Sequence, residues 1–174
     1  MNRPPPDFTA IDFETADHGR DSACAVALVR IEAGRIARAE SRLIRPPRRR
    51  MVFTSIHGIT WADVAVAPVF GELWPRLADL LEGSSFIAAH NAPFDRGVLS
   101  ACCAAAGLEP PPQPFLCTVR LARRTWGLRR ANLPAVCAHL GIDLEHHRAE
   151  SDAEACARIV LAAAEAGASL AVGQ

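Results

Sequence analysis

The hydrophobic pattern of this chain changes period once, and that change restricts the folds open to it. Up to residue 44 the apolar residues follow strand rules. Phe8 to Phe13 leaves a Pro-rich start as a strand, and Cys24 to Ile31 is a second apolar run. Ile36 to Ile44 alternates apolar and polar side chains, the pattern of a strand with one wet face. Glu32-Ala33-Gly34-Arg35 between the last two reads as a hairpin turn, so three antiparallel strands open the domain.

After a Pro/Arg loop and the Gly-containing segment Ile56-His57-Gly58-Ile59-Thr60, the period becomes helical. Phe70, Leu73, Trp74, Leu77, Leu80 and Leu81 predict an amphipathic helix over Val69 to Leu81. Phe86 to Ala89 is a short strand feeding a helix that runs from Phe94 to the stop at Gly107. Phe115 to Cys117 is a further short strand, followed by helical patches at Val119 to Trp126 and Leu133 to Leu140, the latter stopped by Gly141. A last helix is expected from about Asp152 to Ala166, with Ser151 and Glu154 arranged as a capping box. Strands first and strand-helix units later predict the mixed α/β class.

The length of 174 residues suits a single domain over 1–174, with a short Pro-rich lead at 1–7. The basic residues are all arginine and balance the acids to a formal net charge of +0, so net charge does not announce a nucleic-acid partner. The arginines cluster nonetheless, in Arg45 to Arg50 and across Arg120, Arg123, Arg124, Arg129 and Arg130. The six cysteines show no paired zinc-type spacing and are expected to be reduced thiols. No signal-peptide core and no uninterrupted apolar span of about 20 residues is present, so a cytoplasmic location and no membrane partner are expected.

Three acidic segments carry the chemistry. Side chains alternate along the first strand, so Asp12 and Glu14 share a face at its end. Two like charges there repel and resist desolvation unless a cation compensates them. Asp95 sits one turn into the helix that follows His90-Asn91-Ala92-Pro93-Phe94, and Asp152 in the first turn of the last helix. Each of these has an ordinary alternative, as a strand end entering solvent or as an acid favoured by a helix N-terminus. Asn91 likewise serves either to shape a cleft or to cap the helix. His147, placed in the loop before Asp152, is chosen over His146 by its spacing; its unperturbed pKa of about 6.5 suits it to take a proton from a metal-bound water.

Asp12-Phe13-Glu14-Thr15, His90-Asn91-Ala92-Pro93-Phe94-Asp95 and His147-Arg148-Ala149-Glu150-Ser151-Asp152 resemble, in order, the three motifs of the DEDDh 3′ to 5′ exonucleases. This is the DnaQ-like family, which includes the proofreading ε subunit of bacterial DNA polymerase III and stand-alone enzymes. Ile56 to Thr60 and Cys117 to Arg124 are also similar to family segments, so the likeness spans nearly the whole chain. It implies an RNase H-like fold, a five-stranded mixed sheet flanked by helices with the acids at one sheet end. It implies a two-metal-ion mechanism with Mg²⁺ or Mn²⁺, releasing nucleoside 5′-monophosphates from the 3′ end of single-stranded DNA, with RNA as a second candidate substrate. The work would lie in proofreading, repair or nucleic-acid turnover.

The same resemblance assigns roles. Asp12 would contact both ions, Glu14 and Asp152 would hold the site of the attacking water, Asp95 would support the second ion directly or through water, and His147 would be the general base. Phe13, Thr15, His57, Asn91 and Phe94 are the expected substrate contacts, Phe13 standing where many relatives carry Thr. The competing readings are an RNA-trimming exoribonuclease and a nucleic-acid binding module that has lost catalysis. The chain ends just past its last helix, so no polymerase partner is expected, and a homodimer stays open.

Overall fold

The computed structural model describes residues 5–172. The strands are β1 (Phe8–Thr15), β2 (Ala23–Glu32), β3 (Arg35–Leu43), β4 (Ile87–Ala89) and β5 (Phe115–Cys117). The helices are α1 (Thr54–His57), α2 (Trp61–Val64), α3 (Phe70–Leu77), α4 (Ala92–Ala106), α5 (Thr118–Trp126), α6 (Leu133–Leu140) and α7 (Ala149–Glu165). They flank a five-stranded mixed sheet in the order β3-β2-β1-β4-β5. β2 runs antiparallel to both β1 and β3, whereas β4 and β5 are parallel to β1 and reached through helical crossovers. The β2–β3 hairpin turns through Ala33 (φ 48) and Gly34 (φ 77), the left-handed pair that a two-residue turn requires.

Register positions the site. β1 pairs with β2 from Phe8↔Ile31 to Thr15↔Ala23, but with β4 only at Thr9↔Ile87 and Ala10↔Ala88. Asp12 and Glu14 therefore extend beyond the end of β4, beside the point where the chain turns through Asn91 (φ 68) into α4. One sheet face, with Ile11, Phe13, Val26 and Leu28, packs on α3 and α4. The other carries Phe8, Ala10, Ala25 and Ala27 against Ala149, Ala153 and Ala157 of α7. Alanines at four-residue spacing form one stripe of that helix, and small side chains on both partners permit a close approach. Asp12 and Glu14 lie on this face, so the seating of α7 carries Asp152 to them.

Four local expectations change. α7 begins at Ala149 with an extended Arg148 (φ −112) before it, and the capping box does not form. Ser151 Oγ instead accepts the Glu145 N–H at 2.8 Å, while Glu154 pairs with Arg158 at 2.6 Å. The helix expected over Val69 to Leu81 divides at Ala78 into α3 and a 3-10 turn (Ala78–Leu81), just beyond Pro75, which has no N–H for the helical ladder. β3 shows no buried residue on either face, because the helices cover the central strands rather than this edge. The segment read as a Gly-containing loop holds the single-turn helices α1 and α2, with Gly58 (φ 78) between them. The six cysteines are free, and no helix among the described residues is long and apolar enough to cross a membrane.

Candidate active site

Asp12, Glu14 and Asp152 converge from β1 and α7, each offering an oxygen within 4.8 Å of the others. Asp95 reaches them from the first turn of α4. It is 2 % exposed, and its Oδ1 accepts the Phe13 N–H at 3.1 Å, which fixes the head of α4 to the end of β1. The remaining group comes from the loop before α7, where His147 adopts φ 68. Its backbone N–H donates to Asp152 Oδ2 at 3.1 Å, and its ring stacks on that of His146 at 3.8 Å.

Among the described residues no arginine pairs with any of these four carboxylates, and the electrostatics register the lack. Burial, then Asp95, Asp152 and Glu14, push the Asp12 pKa well above the carboxylate range. Burial and Asp152 raise Glu14 to about 7. Burial also lifts Asp95, to about 8, despite the Phe13 hydrogen bond. Asp152 is raised by burial against the opposing pull of His146 and its hydrogen bonds, and its Oδ1 is buried with no partner. A carboxylate cluster without a cation is held at a cost that proton uptake relieves, and a divalent cation relieves it equally well. An all-oxygen donor set suits hard ions such as Mg²⁺ and Mn²⁺, so these residues fit the expected metals.

His147 has its pKa lowered, by burial first and then by His146, with Asp152 opposing. Its imidazole is therefore neutral near pH 7 and able to accept a proton. Sequence spacing passed over His146, whose Nδ1, 2.9 Å from Oδ2, makes the only side-chain hydrogen bond to Asp152 among the described residues. The signal was its adjacency to His147 in a loop short enough to present both rings.

The expected substrate contacts divide. Phe13 faces the core: it is 3 % exposed and packs with Ile11, Val26 and Leu28, because strand alternation turns it away from Asp12 and Glu14. His57 has no free ring nitrogen, since Nδ1 accepts the Ile59 N–H at 3.0 Å and Nε2 faces the Thr15 carbonyl at 3.1 Å. His90 Nδ1 lies 2.8 Å from Thr118 Oγ1 while its Nε2 is buried without a hydrogen-bond partner, and burial lowers its pKa to about 4. Asn91 is exposed at the N-terminus of α4 and makes no side-chain cap, leaving its amide free. Phe94, 38 % exposed, and Thr15 line a cleft with His18, Arg20 and Phe53. In the chain, Thr15 directly follows Glu14 and Phe94 directly precedes Asp95. Arg48 is no free phosphate clamp, being held by Asp17 and Asp21.

A family model of exonucleases, RNase_T, matches residues 9–160. The chain belongs to the DEDDh exonuclease family. The family generally relies on divalent metal ions. The chain is 31 % identical to the PolC-type DNA polymerase III of Clostridium perfringens (strain 13 / Type A), over 88 % of this chain and 11 % of that protein. It is 33 % identical to exodeoxyribonuclease 10 of Escherichia coli (strain K12), over 78 % of this chain and 59 % of the other. It thus spans less than two thirds of these relatives. Exonuclease X, solved in complex with 5′ overhanging duplex DNA, superposes with a TM-score of 0.76 at 29 % identity, covering 94 % of this chain and 95 % of that one. The nuclease domain of 3'hExo, a DEDDh family member bound to rAMP, shares the fold with a TM-score of 0.82 at 18 % identity, covering 97 % and 96 %. The sheet is RNase H-like, with the acids at one end, as the motifs implied.

Proposed function

We propose that this exonuclease hydrolyses single-stranded nucleic acid from the 3′ end, DNA foremost, releasing nucleoside 5′-monophosphates. The observation that carries the reading is the convergence of Asp12, Glu14 and Asp152, with buried Asp95 behind them, in a cluster that lacks its own counter-cation. Two divalent ions bound there would lower the pKa of the attacking water and stabilise charge on the leaving oxygen. Asp12 would serve both ions, a role its carboxylate neighbours on several sides support, and Glu14 and Asp152 would hold the attacking-water side. Asp95 supports the other side while its Oδ1 anchors Phe13.

His147 accepts the proton of the nucleophile, a step for which its neutral ring is suited. The accessible ring of Phe94, beside Phe53, gives a nucleobase an aromatic surface next to the acids. The molecules bound in the two neighbours, 5′ overhanging duplex DNA in exonuclease X and rAMP in 3'hExo, support nucleic acid of either sugar as the class.

The test is degradation of 5′-labelled single-stranded DNA and RNA of equal sequence, with Mg²⁺, with Mn²⁺ and with chelator. A ladder shortening from the 3′ end, abolished by chelator and by Asp12→Ala or His147→Ala, is the expected result, and the relative rates rank the sugars. Shortening from the 5′ end, or rates unaffected by Asp12→Ala, overturns the assignment.

A further inference from the structure

The acid cluster has a second corner with different chemistry. His146, His147 and Asp152 each offer a donor atom within 4.8 Å of the others, a set that shares only Asp152 with the oxygen trio. We infer that this corner is a transition-metal site, taking Zn²⁺ or a similar borderline-soft ion, and that its occupation inhibits the enzyme.

The geometry is already assembled. His146 Nδ1 lies 2.9 Å from Asp152 Oδ2, and the two rings stack at 3.8 Å with 25° between their planes. Asp152 is 4 % exposed, and its Oδ1 has no hydrogen-bond partner. Two imidazoles and a carboxylate with room for water form a donor set that zinc favours, whereas Mg²⁺ prefers oxygen and gives up its waters reluctantly. For binding, the imidazoles act as neutral ligands: the Nδ1 proton shared with Asp152 moves to Nε2, and the vacated nitrogen takes the ion. His146 is accessible, so the ion has a path in.

The consequence follows from the shared members, and here the inference rests on the exonuclease reading. An ion in this corner occupies His147 and Asp152 together, removing the proton acceptor and one carboxylate from hydrolysis. Zn²⁺ should therefore inhibit at concentrations far below those of the Mg²⁺ that supports turnover. The oxygen trio offers zinc a rival seat, and the test separates the two.

Zn²⁺ binding to the full chain, without Mg²⁺, would be measured by competition with a chromophoric chelator for the unaltered protein, His146→Phe, His146→Gln and Asp12→Asn. Loss of an imidazole ligand should weaken binding about ten-fold or more in both His146 variants. Asp12→Asn, outside this corner, should stay within about three-fold of the unaltered protein. The reverse pattern places zinc among the oxygens and overturns the inference. A readout without substitution is the histidine ring NMR signals. Sub-stoichiometric Zn²⁺ should shift those of His146 and His147 first, and unshifted signals count against the site.

In the activity arm, the Zn²⁺ concentration that halves Mg²⁺-supported degradation should rise about ten-fold or more in His146→Phe, relative to its own zinc-free rate. The binding arm needs no turnover. Failure to degrade nucleic acid with the expected zinc pattern removes the exonuclease reading and leaves the site. Degradation with binding indifferent to His146 does the opposite.

Discussion

Two acidic pairs lie close together in the chain, and they sit in opposite electrostatic conditions. Asp12 and Glu14 at the end of β1 have their pKa values raised, whereas Asp17 and Asp21 in the turn that follows have theirs lowered. The difference is Arg48. Its Nε meets Asp17 Oδ2 at 2.8 Å and its Nη2 meets Asp21 Oδ1 at 2.6 Å, which holds Asp17 at about 2. Among the described residues the β1 pair has no such partner and is crowded by Asp95 and Asp152 instead. Acidity is thus no signature of the site; what distinguishes it is that the fold withholds a cation, leaving the role to an ion from solution.

The sharpest way to break that contrast is Asp12→Asn. The variant removes a charge that metal binding needs and that the metal-free fold tolerates badly. Degradation should fall by about 10³-fold or more, equivalent to roughly 4 kcal/mol of barrier. The chelator-treated melting temperature at pH 8 should rise. A variant within about ten-fold of the unaltered rate would show that the open pair is ordinary surface acid. Next in size is His147→Ala, which removes the proton acceptor and leaves the carboxylates. A loss of about 10² to 10⁴-fold in kcat is expected, with little change in the apparent affinity for Mg²⁺. Parallel loss of Mg²⁺ affinity would place His147 among the ligands instead.

Smaller, and common to the cluster, is a pH effect on stability. Groups whose folded pKa lies above the unfolded one stabilise the fold while both states are protonated, and that contribution disappears as pH rises through the folded value. With Glu14 at about 7 and Asp95 at about 8, the chelator-treated protein should lose stability between about pH 4 and about pH 8. The loss should be at least about 2 kcal/mol, or roughly 4 °C or more in melting temperature. Mg²⁺ should restore most of it at pH 8 and little at pH 5, where protons already neutralise the acids. Melting curves at several pH values, with and without Mg²⁺, would measure this; a flat metal-free profile would mean the acids are solvated.

Much of this was legible in the sequence because period and order carry it. The switch from strand to helix period predicted the strands, their antiparallel start and the later crossovers, and the three acidic motifs lie at the ends that parallel pairing brings together. What the chain did not announce depends on contacts distant in sequence. Pro75 and the extended Arg148 reset helix limits that apolar spacing alone leaves open. Phe13 alternates correctly with the acids, yet whether the opposite face meets substrate or core is decided by α3 and α4 packing there. The same applies to His57, whose ring nitrogens meet backbone groups of Thr15 and Ile59. His146 was visible as one of two histidines, and only the turn at His147 (φ 68) shows that both reach Asp152.

The smallest effect tests the closed side of the comparison. Arg48→Met keeps the apolar stem and removes the guanidinium that Asp17 and Asp21 share. Arg48 is 44 % exposed at its side chain, so solvent screening limits the contribution to about 1 kcal/mol, or roughly 2–4 °C in melting temperature. The pH dependence identifies the cause. A carboxylate with a lowered folded pKa stabilises the protein above its unfolded value of about 3.9 and loses that contribution as pH falls through the folded one. For Asp17 the window runs from about 4 down to about 2. The unaltered protein should therefore lose more stability across that interval than Arg48→Met, whose freed aspartates titrate more nearly as they do unfolded. At neutral pH the variant should degrade nucleic acid within about two-fold of the unaltered rate, since Arg48 touches none of the four converging carboxylates. If activity fell with the melting temperature, the turn would be supporting the end of β1. Closed and open pairs would then be one mechanical unit rather than two independent solutions to acidic crowding.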